Sequence, residues 1–204
     1  MFLSHNKCSI CFFIKLTYFC RLDAIYFAYR KAIQKNEKAF VMYGTPSSPA
    51  PLSVVLAQHH AQVRAAQRLR QQVLNTGTLT LDGDYLDRYC EHLLVREPAY
   101  GEVIATARLL APEQAKKLGG YAVEENFDLI RWLPIRERLV EISHVCIHPD
   151  FQQTATLRRL WQGVRQYLHM GRYDYLMGNV SLGIADGGHV AASVYQRLQE
   201  SHLA

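Results

Sequence analysis

Apolar residues recur at helical spacing through residues 156–170, where Leu157, Leu160, Trp161, Val164 and Leu168 form a stripe and Arg158, Arg159, Arg165 and Gln166 take the other face. Just ahead, residues 139–147 are mostly β-branched and apolar and are stopped by His148-Pro149-Asp150, the pattern of a buried strand. Glu141 and His144 are the polar exceptions within it. A second stripe, Val63, Ala66, Leu69 and Val73, with Arg64, Arg68 and Gln71 facing away, predicts a helix over residues 52–74 that stops at Asn75-Thr76-Gly77. Residues 92–96 and 103–110 read as a β-hairpin around a loop holding Pro98 and Gly101. Residues 111–138 read as short helix and loop, broken by Gly119-Gly120 and Pro134. A strand over 173–180, a turn at Gly183, Gly187 and Gly188, and a helix from 189 to about 201 complete the chain. This order predicts an α+β fold, a mixed sheet flanked by helices.

Composition changes this picture little, but it sets boundaries. The 204 residues are 49% hydrophobic and 20% charged, enough for one ordinary globular domain. The formal charge of +5 comes wholly from residues 1–40, which carry seven Lys or Arg against Asp23 and Glu37; the remainder holds 16 basic and 16 acidic residues. A nucleic-acid footprint needs a basic face on the folded part, and the sequence offers none there. Residues 1–41 are therefore set apart as a basic, aromatic-rich extension, residues 42–56 as a flexible lead-in rich in Pro, Ser and Gly, and residues 57–204 as the folded domain.

Within the extension, the apolar run 10–20 is interrupted by Lys15 and ended by Arg21, short of the roughly 20 residues of a membrane span. Two readings stand: an interfacial anchor at the membrane face, or a translated upstream segment foreign to the natural protein, which is the preferred one. Five cysteines without framework spacing favour a reducing compartment, the cytoplasm. Cys8 and Cys11 form a single C-x-x-C, too little for a metal site, so none is expected.

Candidate chemistry gathers on the strand at 139–147 and the helix after it. Burial raises the pKa of an acid in an apolar strand, so Glu141 is a candidate proton acceptor; the structural alternative is a carboxylate paired with Arg108 on a neighbouring strand. Thr154 and Thr156 are placed to cap the helix, whose first N–H groups point at whatever lies beyond the strand end. Cys146 alternates with Val145 and Ile147 as a core thiol.

In order along the chain, Arg64-Ala65-Ala66-Gln67-Arg68-Leu69-Arg70, Asp84 to Val95, Thr106-Ala107-Arg108-Leu109-Leu110, Glu141 with Cys146 to Phe151, Leu160-Trp161-Gln162-Gly163, and Gly178 with Ser181 resemble the ornithine N-acyltransferases of ornithine-lipid synthesis. These form a haemolysin-like branch of the GNAT-type acyltransferases. The resemblance covers residues 60–204. It implies a GNAT-like fold, incomplete here at the C-terminus, and transfer of a 3-hydroxyacyl chain from acyl carrier protein to the α-amine of ornithine, with no bound cofactor. By resemblance Glu141 is catalytic, Asp84, Asp87, His92, Arg108 and His144 meet the amino-acid substrate, with a core histidine the alternative at His144, and Gln152 stands at the acyl donor. Thr154 and Thr156 at the helix start join it there, and Arg158 either meets the acidic carrier protein or belongs to a solvated helix face. His144 and Gln152 stand where the family pattern has arginine, which exchanges a fixed charge for a neutral group at each position. Asp84, Asp87 and His92 also suit ordinary turn and strand-edge positions. The rival reading is an inactive remnant or a module that binds acyl carrier protein.

Overall fold

Seven strands hydrogen-bond into one mixed sheet in a computed structural model of the chain, which describes residues 2–4, 7–15, 52–74 and 85–202. In chain order the elements are β1 (Phe2–Ser4), β2 (Lys7–Lys15), β3 (Ser53–Leu56), α1 (His60–Leu74), β4 (Glu91–Arg96), β5 (Val103–Leu110), α2 (Pro112–Leu118), β6 (Leu139–Ile147), α3 (Thr154–Gly171), β7 (Tyr175–Gly183) and α4 (His189–His202). Across the sheet they run β1-β2-β7-β6-β5-β4-β3. Every neighbouring pair is antiparallel except β6 and β7, which are parallel and joined through α3, as a parallel pair requires a crossover.

Alternation along the strands sorts their residues onto two faces. Leu93, Val95, Ala105, Ala107, Leu109, Val140, Ile142 and Leu176 pack with Leu157, Leu160, Val164 and Leu168, so the predicted stripe of α3 closes one face. The opposite face receives α1, through Ala66 and Leu69, and a second cluster in which Leu110, Leu139 and Met177 meet Ala115, Tyr121, Val123 and Leu129. The second cluster is built from α2 and the 3-10 segments at Ala122–Glu125 and Ile130–Arg138, the stretch read as short helix and loop.

Close approach fixes one position of α3. A Cβ at Gly163 would lie 2.5 Å from Val54 Cγ1 and 2.9 Å from Leu93 Cδ2. Both neighbours are stiff or enclosed, so the overpacking cost of about 1–3 kcal/mol outweighs the roughly 1 kcal/mol of helix propensity that alanine brings. Gly163→Ala is expected to lower the thermal unfolding midpoint; a raised midpoint would mean that β3 yields to the methyl group.

Three expectations need correction. Residues 53–56 are not helical: Ser-Val-Val-Leu alternates exposed and half-buried positions and pairs with residues 93–96, so β-branched residues against a strand partner outweigh the helical pattern, and the helix begins at His60. The folded unit therefore starts inside the stretch read as lead-in. The threonines do not cap α3, because its N-cap is Gln153, which makes no side-chain cap hydrogen bond; Thr154 is the first helical residue and Thr156 is buried in the first turn. Finally, part of the N-terminal extension joins the sheet: β1 pairs with β2, and β2 runs antiparallel along β7 from Lys7 opposite Gly183 to Lys15 opposite Tyr175. The rest of that extension, most of the lead-in, the stop at Gly77 and Asp84 lie outside the described residues.

Candidate active site

β6 and β7 pair only from Leu139 opposite Tyr175 to Ile142 opposite Gly178. Beyond that point β6 continues along β5 as far as Ile147 and β7 continues along β2 as far as Gly183, so the two parallel strands part into a fork. The open end of the fork faces the start of α3, because the Pro149–Phe151 turn joins the end of β6 directly to that helix.

A bulge lies at the point of parting. Thr106 pairs with Cys146 and Arg108 with Ser143, which leaves Ala107 opposite two residues, His144 and Val145. His144 has φ of 50°, the left-handed region, which costs a non-glycine residue about 1 kcal/mol or more and needs the surroundings to hold it. His144 is half-buried there.

Glu141 sits one pair before the fork, opposite Leu110 on β5 and Met177 on β7, with 3% of its surface exposed. Its Oε2 accepts the Ala122 N–H at 2.8 Å. Burial pushes the carboxyl up, while the Ala122 and Val123 N–H groups and the charge of Arg108 pull the other way, and the outcome is a carboxyl raised to about 7. The expected pairing with Arg108 is not made as an ion pair: that guanidinium is turned to Asp87 and Ser143 instead.

Asp87, in the 3-10 turn Tyr85–Arg88, is the centre of a buried cluster. It accepts Gln67 Nε2 at 2.8 Å, both terminal nitrogens of Arg70, and Arg108 Nη1 at 3.2 Å. Burial pushes this carboxyl up too, but the hydrogen bonds from Arg70 and Gln67 with the nearby positive charge outweigh it and hold it below the usual carboxylate range. His92 Nε2 donates to the Asp87 carbonyl at 3.2 Å, which leaves Nδ1 as a buried lone pair without a hydrogen-bond partner. Burial lowers the His92 pKa, against the pull of Asp87, and keeps the ring neutral near pH 7.

The fold thus brings Glu141, Arg108, His92 and Asp87 onto one face under α1, with His144 at the fork beside them. Asp87, His92 and Arg108 are 9%, 2% and 3% exposed. Asp87 and Arg108 are bonded to one another, to α1 and to Ser143, while His92 Nδ1 has no hydrogen-bond partner. Of the residues expected to meet the acyl donor, Gln152, Thr154 and Arg158 are exposed around the start of α3 and Thr156 is enclosed. Among the described residues no group of three or more His, Cys, Asp or Glu is placed to hold a metal ion, and no helix is long and apolar enough to cross a membrane.

Gln67, Arg70 and Ser143 escaped the sequence reading. Arg70 was legible, since it lies four residues past Ala66 and three before Val73 and so on the inward stripe of α1, where a 1% exposed arginine demands a buried acid. Ser143 carried no signal of its own.

The sequence profile of the acetyltransferase (GNAT) domain matches residues 58–162. Curated L-ornithine N(alpha)-acyltransferases of Brucella abortus (strain 2308) and Rhodobacter capsulatus are 31% identical over 147 residues and 30% identical over 149, which cover 64% and 65% of this chain. The matches span 52% and 58% of those two proteins' own lengths. Among solved structures, the ribosomal-protein-alanine N-acetyltransferase of Brucella melitensis biovar Abortus is 15% identical with a TM-score of 0.41, over 75% of this chain and 92% of that one. N-acetylglutamate synthase of Neisseria gonorrhoeae, complexed with coenzyme A and N-acetyl-glutamate, is 16% identical with a TM-score of 0.41, over 69% and 28%.

Proposed function

Because the chain belongs to the GNAT acetyltransferase domain family, we propose that it is an N-acyltransferase that moves an acyl chain from the thioester of acyl carrier protein to the α-amine of ornithine, the first step toward an ornithine lipid. The observation that carries the reading is Glu141, a carboxyl raised to about 7 by burial at the parting of two parallel strands. A base for an amino acid's ammonium needs a pKa near the working pH, and an acid in water lies too low.

In this reading the ammonium gives one proton to Glu141 and the neutral nitrogen attacks the thioester carbonyl. A C–N bond forms, the C–S bond breaks, and the second proton ends on the departing thiolate. The oxyanion of the tetrahedral stage requires N–H donors, and the bulged backbone at His144 and Val145, where two residues lie opposite one, is the part of β6 that offers them. His144 lies nearest the acceptor. Its imidazole provides a hydrogen bond where a guanidinium would provide a fixed charge. The pantetheine arm of the donor enters the open end of the fork, where the first N–H groups of α3, with Gln152, Thr154 and Arg158, receive it. Thr156 supports that turn from inside. Recognition of ornithine over other amino acids, the choice of carrier protein and residence at a membrane face belong to the same proposal.

The test is an acylation assay with ornithine and an acyl-carrier-protein thioester, followed by a pH profile. Glu141 must be ionised to accept a proton, so log kcat is expected to rise with a slope of about one below pH 7 and to level above it. A flat profile between about pH 5.5 and 8 with full turnover would remove Glu141 as the base.

A further inference from the structure

His92, Arg108 and Ser143 form one row across three strands, β4 to β5 to β6, on the face beneath α1. Arg108 ties this row together. Its Nε donates to Ser143 Oγ at 2.9 Å and its Nη1 to Asp87 Oδ1 at 3.2 Å, while Asp87 is clamped by Arg70 and Gln67 from α1. A continuous polar path therefore runs from α1 to the residue immediately before His144. The next pair along the ladder, Thr106 with Cys146, is displaced by one residue, so the Arg108–Ser143 contact marks the last regular pair before the bulge. A strand register is otherwise held by which face is apolar, and a one-residue slip inverts that assignment for everything beyond. Here Val145 is exposed and Cys146 buried, and the bulge is what sends them to their places.

We infer that Arg108 and Ser143 are positioning residues that lock the β6 bulge, and through it the backbone donors at the fork, and do not themselves touch substrate. The inference rests on the acyl-transfer reading for its kinetic consequence but not for its structural one. An extended backbone would return His144 to ordinary φ and remove the bulge, so the left-handed residue persists only while something over-determines it. Ser143 Oγ is a polar contact from β6 to the Arg108 guanidinium, which is 3% exposed.

The decisive experiment compares Ser143→Ala and Ser143→Thr in the full chain by amide NMR and by steady-state kinetics. Ser143→Ala is expected to shift the amide resonances of His144, Val145 and Cys146 while those of β4 stay in place. It should also lower kcat by roughly 10- to 100-fold with KM for the thioester within about twofold, as a misplaced but intact site does. Ser143→Thr keeps the hydroxyl and should restore both. Arg108→Lys, which can reach Asp87 or Ser143 but not hold both in a fork, should move the same amides. Unmoved amides in Ser143→Ala would overturn the inference, as would a loss that threonine does not rescue. If the unaltered chain fails to acylate ornithine, the acyl-transfer reading falls, and the amide shifts alone still decide whether Arg108 and Ser143 hold the bulge.

Discussion

Glu141→Gln is expected to lower acyl transfer by about 10²–10⁴-fold, the usual cost of losing a general base, with the fold intact. The amide has nearly the shape of the acid and its oxygen can still accept the Ala122 N–H, so the packing around Leu110, Met177 and Tyr121 is undisturbed. It cannot take a proton. The same substitution should also alter how stability depends on pH. The folded carboxyl is raised from 4.5 to about 7, so its stabilisation is complete below its unfolded pKa and is lost as pH rises through about 7, on the order of 3 kcal/mol in all. Glutamine stays neutral at every pH, as the folded carboxyl does below about 7, so the thermal midpoints of the two proteins should lie close together at pH 5 and part at pH 8, where the glutamine variant is the more stable. Full turnover with an unchanged circular dichroism spectrum would take Glu141 out of the mechanism, and identical pH dependence of the midpoints would mean that its carboxyl is not buried in solution.

The second large effect is expected at Asp87. Its carboxylate is shared by Arg70 and Arg108, and Asp87→Asn removes the anion from two buried ion pairs, one of the few single changes that costs about 3–5 kcal/mol. Urea unfolding should report this as a lower midpoint at unchanged slope. The pH trend here has the opposite sign to that of Glu141: the folded carboxyl is held low, so its contribution is present above the unfolded pKa and is lost as pH falls through the folded value. A loss below about 1 kcal/mol would show that the cluster is hydrated enough to tolerate two charges, as exposed pairs are.

Periodicity made α3, the β4–β5 hairpin and β6 legible, because each carries its own apolar pattern: a stripe at 157, 160, 164 and 168, and continuous burial over residues 139–142. The burial of Glu141 was legible for the same reason, as a charge inside such a run. β3 was misread because four residues, Ser53 to Leu56, are too few to separate a strand from the beginning of the helix that follows, and only the partner β4 decides. The bulge at His144 could not be read at all, since it is a mismatch between two strands and belongs to neither alone. The Asp87 cluster was half legible. Asp87, His92 and Arg108 could be picked out singly, but their mutual contacts join residues up to 21 positions apart, and the carboxylate's attachment to α1 carried no signal of its own.

The pairing of β2 with β7 has a consequence for how the protein is made. Lys7 faces Gly183 and Lys15 faces Tyr175, so β2 meets this sheet neighbour only after more than 150 further residues have left the ribosome. At about 5–20 residues per second that interval is roughly ten to thirty seconds. Throughout it β2 has only β1 for a described partner, and the β3–β4–β5 part of the sheet, whose strands are neighbours in sequence, is free to assemble first. The fork between β6 and β7 is therefore flanked last, and nascent chains caught before β7 emerges should present β2 to chaperones as an unclaimed strand edge.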